Sequence, residues 1–253
     1  MTGHDAKVLI LTPMKSAERH LDTYFAGLAK LTYPRGCLSL GILEGDSVDG
    51  TFESVSRRLP NLGFRRNGLW KKDFGLAIPP GIPRYAAVYQ FTRRAVLARA
   101  RNHLLFHALD DEDWVVWLDV DVVDYPSDIL ERLLSYDCDI LHPHCVREPG
   151  GGTFDLNAWT SNGQHMDQLR AEQMVRLSAV GGTMLLIRAD RHRDGLIFPP
   201  FYFGRRSNWI RDVHPDGGTA FGEIETEGLG IMAKEMGLEC WGLPNLEIVH
   251  SKK

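Results

Sequence analysis

The chain has 253 residues, 43% of them hydrophobic and 25% charged, with a formal net charge of -4 at pH 7. This composition is typical of a globular protein with a substantial core, and the small acidic charge gives no reason to expect nucleic acid or an anionic membrane as partner. The cysteines lie far apart without C-x-x-C spacing, which argues against a zinc site or a disulfide framework: Cys37, Cys138, Cys145 and Cys240.

The first residues contain no basic stretch followed by a long apolar run, so no signal peptide is predicted. The sequence also contains no apolar run of about 18 residues, the minimum for a transmembrane helix. We therefore expect a cytoplasmic location, with peripheral contact to a membrane left open.

Residues 7–11 and 38–43 predict two buried strands with a helix between them. Ser16 is the candidate N-cap of that helix, whose apolar face carries Ala17, Leu21, Tyr24, Phe25 and Leu28. The second strand ends on Glu44, and Asp46 follows in the next loop. A strand, a helix and a strand, with polar residues after each strand, predict a βαβ unit. The loop with Asp46 is where such a fold would hold a base or a ribose.

Residues 65–84 are basic and rich in proline and glycine, which predicts either a solvated loop or a substrate-binding one. Residues 85–109 predict a long helix with a stripe at alternating three- and four-residue steps: Val88, Phe91, Ala95, Ala98, Asn102, Leu105 and Leu109. Asn102 is the polar member, so its amide either ties the core together or faces the site. Arg94 and Arg101 share a neighbouring face, where arginines either clamp phosphates or are simply solvated.

The most informative stretch is residues 114–126, which begins with an apolar run and ends in a Tyr-Pro break. Apolarity on both faces predicts a parallel strand covered by helices, and such a strand delivers its carboxyl end to the ligand crevice of the sheet. Asp119, Asp121 and Asp124 lie at that end. The first two suit a divalent cation and a phosphorylated ligand. The alternative is that the three carboxylates merely form a turn.

The rest of the chain predicts further strands and helices. A helix is predicted after Ser127 as its N-cap, followed by a strand over residues 139–143. Residues 147–168 predict a long loop of the kind that covers a site. A strand follows over residues 180–187, where Gly181 and its neighbouring glycine would let a ligand or a backbone approach closely.

Two features near the C-terminus carry candidate site residues. A helix is predicted over residues 221–236, with Glu225 aimed at the interior near its N-terminus and Glu227 on a different, more exposed face. The last predicted strand, residues 246–250, ends on His250. Opposite two aspartates, this imidazole would suit Mn²⁺.

Six short stretches stand in order along the chain, at residues 98–102, 114–126, 155–159, 180–186, 225–234 and 242–250. Together they resemble the motifs of the Mnn9/Anp1/Van1 family of fungal α-mannosyltransferases. Each stretch alone is unspecific, but the matches keep their order and run from about residue 9 to residue 250. The resemblance therefore covers nearly the whole chain.

The resemblance implies a single GT-A glycosyltransferase domain over residues 1–253, with an α/β, Rossmann-like fold and a mixed, mainly parallel central sheet. A nucleotide-binding half would span about residues 7–121, and a half that binds the acceptor and completes the metal site about residues 122–250. The resemblance also implies a GDP-mannose donor, Mn²⁺ (or Mg²⁺) as cofactor, and transfer to a saccharide or lipid-linked acceptor with retention of the α configuration.

Matching positions carry the family's site residues onto this sequence. Asp121 and His250 correspond to metal ligands, and Asp119 is the third candidate ligand, which leans toward the ribose or a metal-bound water. The implied donor-binding residues are Pro13, Glu44, Asp46, Arg99, Asn102 and Asp119. The catalytic candidates are Glu225, Glu227 and Arg101. The two glutamates would contact the acceptor or the anomeric centre, and the arginine would stabilise charge as the glycosidic bond breaks.

Other functions remain open on the sequence. The donor could be a UDP-sugar or the reaction a nucleotidyl transfer, although residues 12–16 lack the glycine-rich loop of nucleotidyltransferases. A non-catalytic subunit that binds a sugar nucleotide is a third alternative, because the fungal relatives work in complexes. A homo-oligomer is compatible with the sequence. The family's membrane anchor and stem do not occur in this chain, which favours a cytosolic protein acting on a lipid-linked or small acceptor.

Overall fold

The computed structural model describes residues 6–79, 81–82, 86–204 and 222–252. Within these residues, nine strands form one sheet. The strands are β1 (Val8–Met14), β2 (Leu38–Glu44), β3 (Arg66–Lys71), β4 (Trp114–Leu118), β5 (Val122–Asp124), β6 (Ile140–Val146), β7 (Val175–Leu177), β8 (Met184–Arg188) and β9 (Cys240–His250). Their order in the sheet is β3-β2-β1-β4-β8-β6-β9-β5, and β7 pairs with β9.

One half of the sheet, from β3 to β4, is entirely parallel. The strands β2 and β4 are buried along their whole length. Alternate residues of β1 enter different cores: Val8 and Ile10 pack on one face of the sheet, and Leu9 and Leu11 on the other. Burial on both faces explains why these strands read as unbroken apolar runs. The carboxyl ends of β1, β2 and β4 therefore meet at one edge of the sheet.

The other half of the sheet has mixed directions. The strand β8 runs antiparallel to both β4 and β6, while β9 is parallel to β6 and antiparallel to β5. Pairing of β5 with β9 sets His250 opposite Val122, so the last strand ends beside the residues that follow β4. The predicted α/β fold with a mixed central sheet is confirmed.

Helices cover both faces of the sheet. They are α1 (Leu21–Ala29), α2 (Thr51–Arg58), α3 (Ala87–Ala108), α4 (Ile129–Leu134), α5 (Ala189–Arg193) and α6 (Glu225–Glu235). Apolar residues of α1, α2 and α4 join the core on one face, and those of α3, α5 and α6 join the core on the other. Among the described residues, no helix has both the length and the hydropathy that crossing a bilayer requires.

The prediction of a loop over residues 65–84 is wrong for its first part. Residues 66–71 form β3, an edge strand whose residues are only partly buried, so the apolar signature of the inner strands is missing. Its basic side chains have partners: Nη2 of Arg66 donates to Oε1 of Glu112 at 2.7 Å. The remaining part lines a cavity described below. Pro80 and residues 83–85 lie outside the described residues.

Several predicted helix details also differ. Ser16 does not cap α1, because a short 3₁₀ helix at Glu18–His20 intervenes. The stripe on α3 fails in its first turns, where Val88 and Phe91 are exposed. The N-cap of α4 is Asp128, one residue later than predicted. Asp124 ends β5 rather than forming a turn. The predicted helix starts at Tyr85 and Phe221 lie outside the described residues.

Candidate active site

Two aspartates stand at the carboxyl end of β4. The backbone N–H of Asp119 donates to the carbonyl oxygen of Thr183 at 2.9 Å, which holds the first aspartate against the segment that enters β8. The second, Asp121, faces the end of β9: Nε2 of His250 lies 3.2 Å from its Oδ2. The backbone N–H of Ser251 also donates to the carbonyl oxygen of Asp121 at 2.8 Å. The structure thus brings together the three residues predicted as metal ligands.

The charges of this group are strongly coupled. Burial disfavours the charged imidazole of His250, but the hydrogen bond and the charge of Asp121 outweigh burial and raise the pKa of the histidine. Burial would raise the pKa of Asp121, yet His250 and the nearby His20 outweigh it and lower that pKa. Burial raises the pKa of Asp119; Arg101 opposes this shift and the carboxylate of Asp121 adds to it. After burial, the carboxylates of Asp121, Asp155 and Glu225 all raise the pKa of Asp119, against the guanidinium of Arg101.

The buried side chain of Arg101 donates hydrogen bonds to three other residues. Its Nη2 donates to Oδ1 of Asp119 at 3.1 Å and to the carbonyl oxygen of Gly182 at 3.3 Å, and its Nε donates to Oε1 of Glu225 at 3.1 Å. The side chain is only 4% exposed. Its Nη1 has no hydrogen-bond partner within the described part of the chain. A buried, unpaired guanidinium N–H beside a cavity is suited to an anionic ligand.

A cavity of about 980 Å³ opens in front of these residues. It lies between the loops that follow β1, β2 and β3 and one side of α3. Five predicted site residues line it: Pro13, Asp46, Arg101, Asp119 and Asp121. The cavity is large enough for a nucleotide sugar, since ligand pockets commonly measure about 300–1,000 Å³.

Four basic residues that the sequence analysis missed also line the cavity: Lys15, Arg19, His20 and Arg93. Three of them lie between the end of β1 and the start of α1. That loop follows the carboxyl end of a parallel strand, which was the available signal. Arg93 shares a helix face with Leu97 and Arg101 through successive four-residue steps, so periodicity from Arg101 would have found it.

The residues predicted from the β2 loop mainly hold the loop together. Asp46 lines the cavity, but its carboxylate accepts the backbone N–H groups of Phe74, Gly75 and Leu76 at 2.9 to 3.3 Å. It therefore fixes the wall that follows β3. Glu44 is buried and is not one of the described residues that line the cavity; its Oε1 accepts the N–H of Ser47 at 3.1 Å.

The two other α3 residues predicted to bind the donor have different partners. The amide of Asn102 is fully engaged: Nδ2 donates to the carbonyl oxygen of Phe198 at 2.7 Å, and Oδ1 accepts its N–H at 2.9 Å. Of the two alternatives, Asn102 therefore ties the core together. The guanidinium of Arg99 is exposed and lies 5.4 Å from the ring centroid of Phe74. Neither residue is among the described residues at the cavity wall.

The two candidate catalytic glutamates begin α6. Glu225 is buried with a φ of 60°, and its carboxylate accepts from Arg101 and from Oγ1 of Thr226 at 3.0 Å. Glu227 was predicted on a more exposed face, but its side chain is only 13% exposed. Its Oε2 lies 2.5 Å from Nη2 of Arg94, and its Oε1 accepts from Nε1 of Trp159 at 3.1 Å. Both carboxylates are held by partners on other elements.

The residues present fit a divalent cation when a ligand completes the shell. Nδ1 of His250 lies 3.0 Å from the carbonyl oxygen of Ser251, which leaves Nε2 for a metal beside Oδ2 of Asp121. The excess of carboxylates around Asp119 would be relieved by a cation. Within the described ranges, no group of three or more histidine, cysteine or acidic side chains could hold a metal by itself. The remaining ligands would come from phosphate and water, as Mn²⁺ and Mg²⁺ accept.

The glycine pair before β8 was expected to admit a ligand or a backbone, but side chains occupy the space. A Cβ on Gly181 would overlap the carboxylate of Asp155, and one on Gly182 would overlap the guanidinium of Arg101. The two glycines therefore let buried charged groups approach the backbone closely.

Replacing Gly181 by alanine is expected to lower the free energy of unfolding by about 3 kcal/mol, because overpacking and displaced hydrogen bonds each cost about 1–3 kcal/mol. Urea unfolding measures this change. Gly36→Ala is the control, since nothing lies within 4 Å of its added Cβ. Equal unfolding midpoints for the two variants would contradict the packing described here.

The sequence model of the Anp1 family matches residues 1–171 of the chain, which is more than half of it. The chain belongs to the Anp1 family. The resemblance described from six short motifs is thereby confirmed.

Curated members of the Anp1 family are similar over most of this chain. The mannan polymerase II complex anp1 subunit of Schizosaccharomyces pombe is 30% identical over 96% of this chain and 64% of its own length. The mannan polymerase complex subunit mnn9 of the same organism is 30% identical over 96% of this chain and 80% of its own length. In Saccharomyces cerevisiae, the mannan polymerase II complex ANP1 subunit is 27% identical, and the match spans only 55% of it.

Solved glycosyltransferase structures share the fold. The mannosyltransferase PcManGT from Pyrobaculum calidifontis, in complex with GDP-Man and Mn²⁺, gives a TM-score of 0.57 at 16% identity over 97% of this chain and 57% of that one. GalNAc-T7 with UDP, GalNAc and Mn²⁺ gives 0.58 at 12% identity over 98% and 44%. TarS of S. aureus with UDP gives 0.54 at 14% identity over 98% and 58%. This Anp1-family chain therefore has the GT-A fold.

Proposed function

We propose that the protein is a metal-dependent, retaining glycosyltransferase that moves mannose from GDP-mannose to a saccharide or lipid-linked acceptor in α linkage. The observation that carries the proposal is that Asp119, Asp121 and Arg101 meet at the cavity wall, with His250 against Asp121. Two carboxylates, an imidazole and a buried guanidinium suit a nucleoside diphosphate with its cation. The names of the mannan polymerase relatives, and the GDP-Man bound to PcManGT, support mannose as the sugar.

The charge of the cavity supports a diphosphate ligand. The basic residues that line it would balance the negative charge of the donor phosphates: Lys15, Arg19, His20 and Arg93. Arg101 adds a buried N–H that has no partner in the described residues. A phosphate oxygen would accept a hydrogen bond from this N–H. The phosphate gains negative charge as the glycosidic bond breaks, and the guanidinium would stabilise that charge.

The roles of the other residues follow from their contacts. Asp121 and His250 would hold the divalent cation, which when bound supplies Lewis-acid assistance to the departing diphosphate. Glu225 accepts from Nε of Arg101, so it fixes the plane of the guanidinium that faces the leaving group. In this arrangement Glu225 acts on the reaction through Arg101. Asp46 uses its carboxylate to hold residues 74–76 of the cavity wall in place.

Thermal shift with nucleotides tests the donor. GDP with Mn²⁺ is expected to stabilise the protein by about 2.7 kcal/mol at a concentration one hundred times the Kd of GDP. UDP or CMP at the same concentration should stabilise it less. Without Mn²⁺ the shift should shrink, because Asp121 and His250 then have no cation to share with the phosphates. Greater stabilisation by UDP would contradict the mannose assignment and favour a UDP-sugar donor; two of the fold neighbours are complexes with UDP.

A second candidate function is a non-catalytic subunit that binds a sugar nucleotide, because the relatives are named as subunits of complexes. Incubation of the protein alone with GDP-mannose and mannose-terminated acceptors separates the two functions. Product formed by the isolated chain supports an enzyme, whereas nucleotide binding without product supports the subunit. The cytoplasmic location, the homo-oligomer and the division of the chain near residue 121 remain predictions.

A further inference from the structure

The segment between β6 and β7 contains a short run that contacts three parts of the site. We call residues 153–159 the brace segment. Three of its side chains lead to different groups: Phe154 to His250, Asp155 to the glycine pair before β8, and Trp159 to Glu227. The proposed function assigns no role to any of the three.

Phe154 covers the imidazole of the metal pair. Its ring stacks on the ring of His250 with centroids 3.8 Å apart and an angle of 23° between the planes. The backbone N–H of Phe154 donates to the carbonyl oxygen of Cys145 at 2.8 Å, which ties the brace segment to β6. The stack fixes the plane of the imidazole, and the carbonyl oxygen of Ser251 at 3.0 Å from Nδ1 fixes its rotation within that plane. Together they direct Nε2 to Asp121.

Asp155 holds the backbone on which the other half of the site rests. Its Oδ2 accepts the N–H of Gly182 at 2.9 Å, the N–H of Thr183 at 3.2 Å and Oγ1 of Thr183 at 3.1 Å. Burial would raise the pKa of Asp155, but the imidazole of His142 and the hydrogen bonds from Thr183 outweigh it and hold that pKa well below its usual range. The carboxylate is therefore charged when it binds these groups.

Gly182 and Thr183 also contact two of the candidate site residues through their carbonyl oxygens. The carbonyl oxygen of Thr183 accepts the N–H of Asp119 at 2.9 Å, and that of Gly182 accepts from Nη2 of Arg101 at 3.3 Å. Asp155 and Arg101 thus bind the N–H and C=O ends of one peptide group, between Gly182 and Thr183, and Asp119 binds the next peptide group along the chain. Movement of the carboxylate of Asp155 would reach Arg101 through the shared peptide group and Asp119 through the backbone of Thr183.

We infer that Phe154 and Asp155 are positioning residues with separate tasks: Phe154 aims His250 at the metal, and Asp155 sets Asp119 and Arg101 against the donor. The inference rests on the proposed function. Phe154 and Asp155 are adjacent in the chain and contact His250 and the glycine pair respectively, so one short run contacts both halves of the site. A purely structural role would instead affect stability, metal affinity and turnover together.

The test combines Mn²⁺ titrations, followed by electron paramagnetic resonance in the presence of GDP, with transfer rates from GDP-mannose at saturating Mn²⁺. Phe154→Ala is expected to weaken Mn²⁺ binding about ten-fold, the usual cost of losing a residue that orients a metal ligand. Its transfer rate at saturating Mn²⁺ should stay within about three-fold of wild type. Asp155→Asn should show the reverse, with a rate at least about ten-fold lower and nearly unchanged Mn²⁺ affinity.

Two further variants keep the test decisive. Leu156 lies in the same segment with its side chain 60% exposed, so Leu156→Ala should behave as wild type in both measurements. If Phe154→Ala does not fold, Phe154→Leu removes the ring while keeping apolar bulk, and Phe154→Tyr should restore Mn²⁺ affinity because it restores the stack.

The outcomes separate the inference from the proposed function. Wild-type Mn²⁺ affinity in Phe154→Ala or Phe154→Leu would overturn the role of Phe154. Parallel loss of Mn²⁺ affinity and rate in both the Phe154 and Asp155 variants would overturn the division of tasks. A wild-type protein that takes up no Mn²⁺ with GDP would overturn the proposed function, and the inference with it.

Discussion

Replacing Asp121 by asparagine is expected to lower the rate of mannosyl transfer about 10³-fold while the protein stays folded. Lewis-acid assistance to a leaving phosphate is worth several kcal/mol, and about 4 kcal/mol corresponds to this factor. Asparagine keeps the shape of the side chain but removes the charge that attracts the cation beside His250. The fold should persist because the asparagine amide can still donate to Nε2 of a neutral His250, whose Nδ1 faces the carbonyl oxygen of Ser251.

The measurement is the transfer rate as a function of Mn²⁺ concentration, together with the thermal midpoint. Asp124→Asn is the matched control: it changes the third aspartate of the same stretch, whose side chain is 67% exposed and pairs with Lys30 at 2.8 Å. An exposed ion pair of this kind contributes about 0–1 kcal/mol, so the control should keep both activity and stability. Full Mn²⁺-dependent turnover by Asp121→Asn would contradict the role of Asp121 as a metal ligand.

The positions of the central aspartates in the fold could be predicted from the sequence because the ends of buried strands are easy to recognise. The apolar run of β4 is long and ends on carboxylates, which locates Asp119 and Asp121 at the ligand edge of the sheet. The last strand ends on His250, and only the pairing of β5 with β9 brings it to Asp121. That pairing joins residues more than a hundred positions apart, so the motif resemblance, rather than periodicity, made the meeting predictable.

The surrounding residues were harder to assign, because a polar side chain can face either a ligand or the backbone. Asp46 lines the cavity, yet its carboxylate accepts hydrogen bonds from the backbone N–H groups of residues 74–76. No local sequence pattern reveals these contacts. The amide of Asn102 binds Phe198, 96 residues away. The edge strand β3 escaped detection because its residues are half-buried and carry no apolar alternation.

Substitution of Arg101 separates the contribution of this residue to stability from its contribution to catalysis. Replacing it by methionine is expected to lower the free energy of unfolding by about 3–5 kcal/mol, because Glu225 would be left buried without its partner. The transfer rate should fall about 10²–10³-fold, the usual effect of removing one preorganised donor to developing charge. Urea unfolding and initial rates measure the two losses. Arg132→Met, on the surface of α4 with a side chain 53% exposed, is the control and should change neither.

The double variant Arg101→Met, Glu225→Gln then distinguishes the two effects. An uncharged glutamine no longer needs the guanidinium, so roughly half of the lost stability should return. The rest stays lost because Asp119 also loses its charge partner in the double variant. The rate should stay low, because nothing in the double variant replaces the guanidinium beside the cavity. Recovery of the rate together with stability would mean that Arg101 only supports the fold. Recovery of stability alone would leave the guanidinium acting on the donor, with Glu225 as the group that orients it.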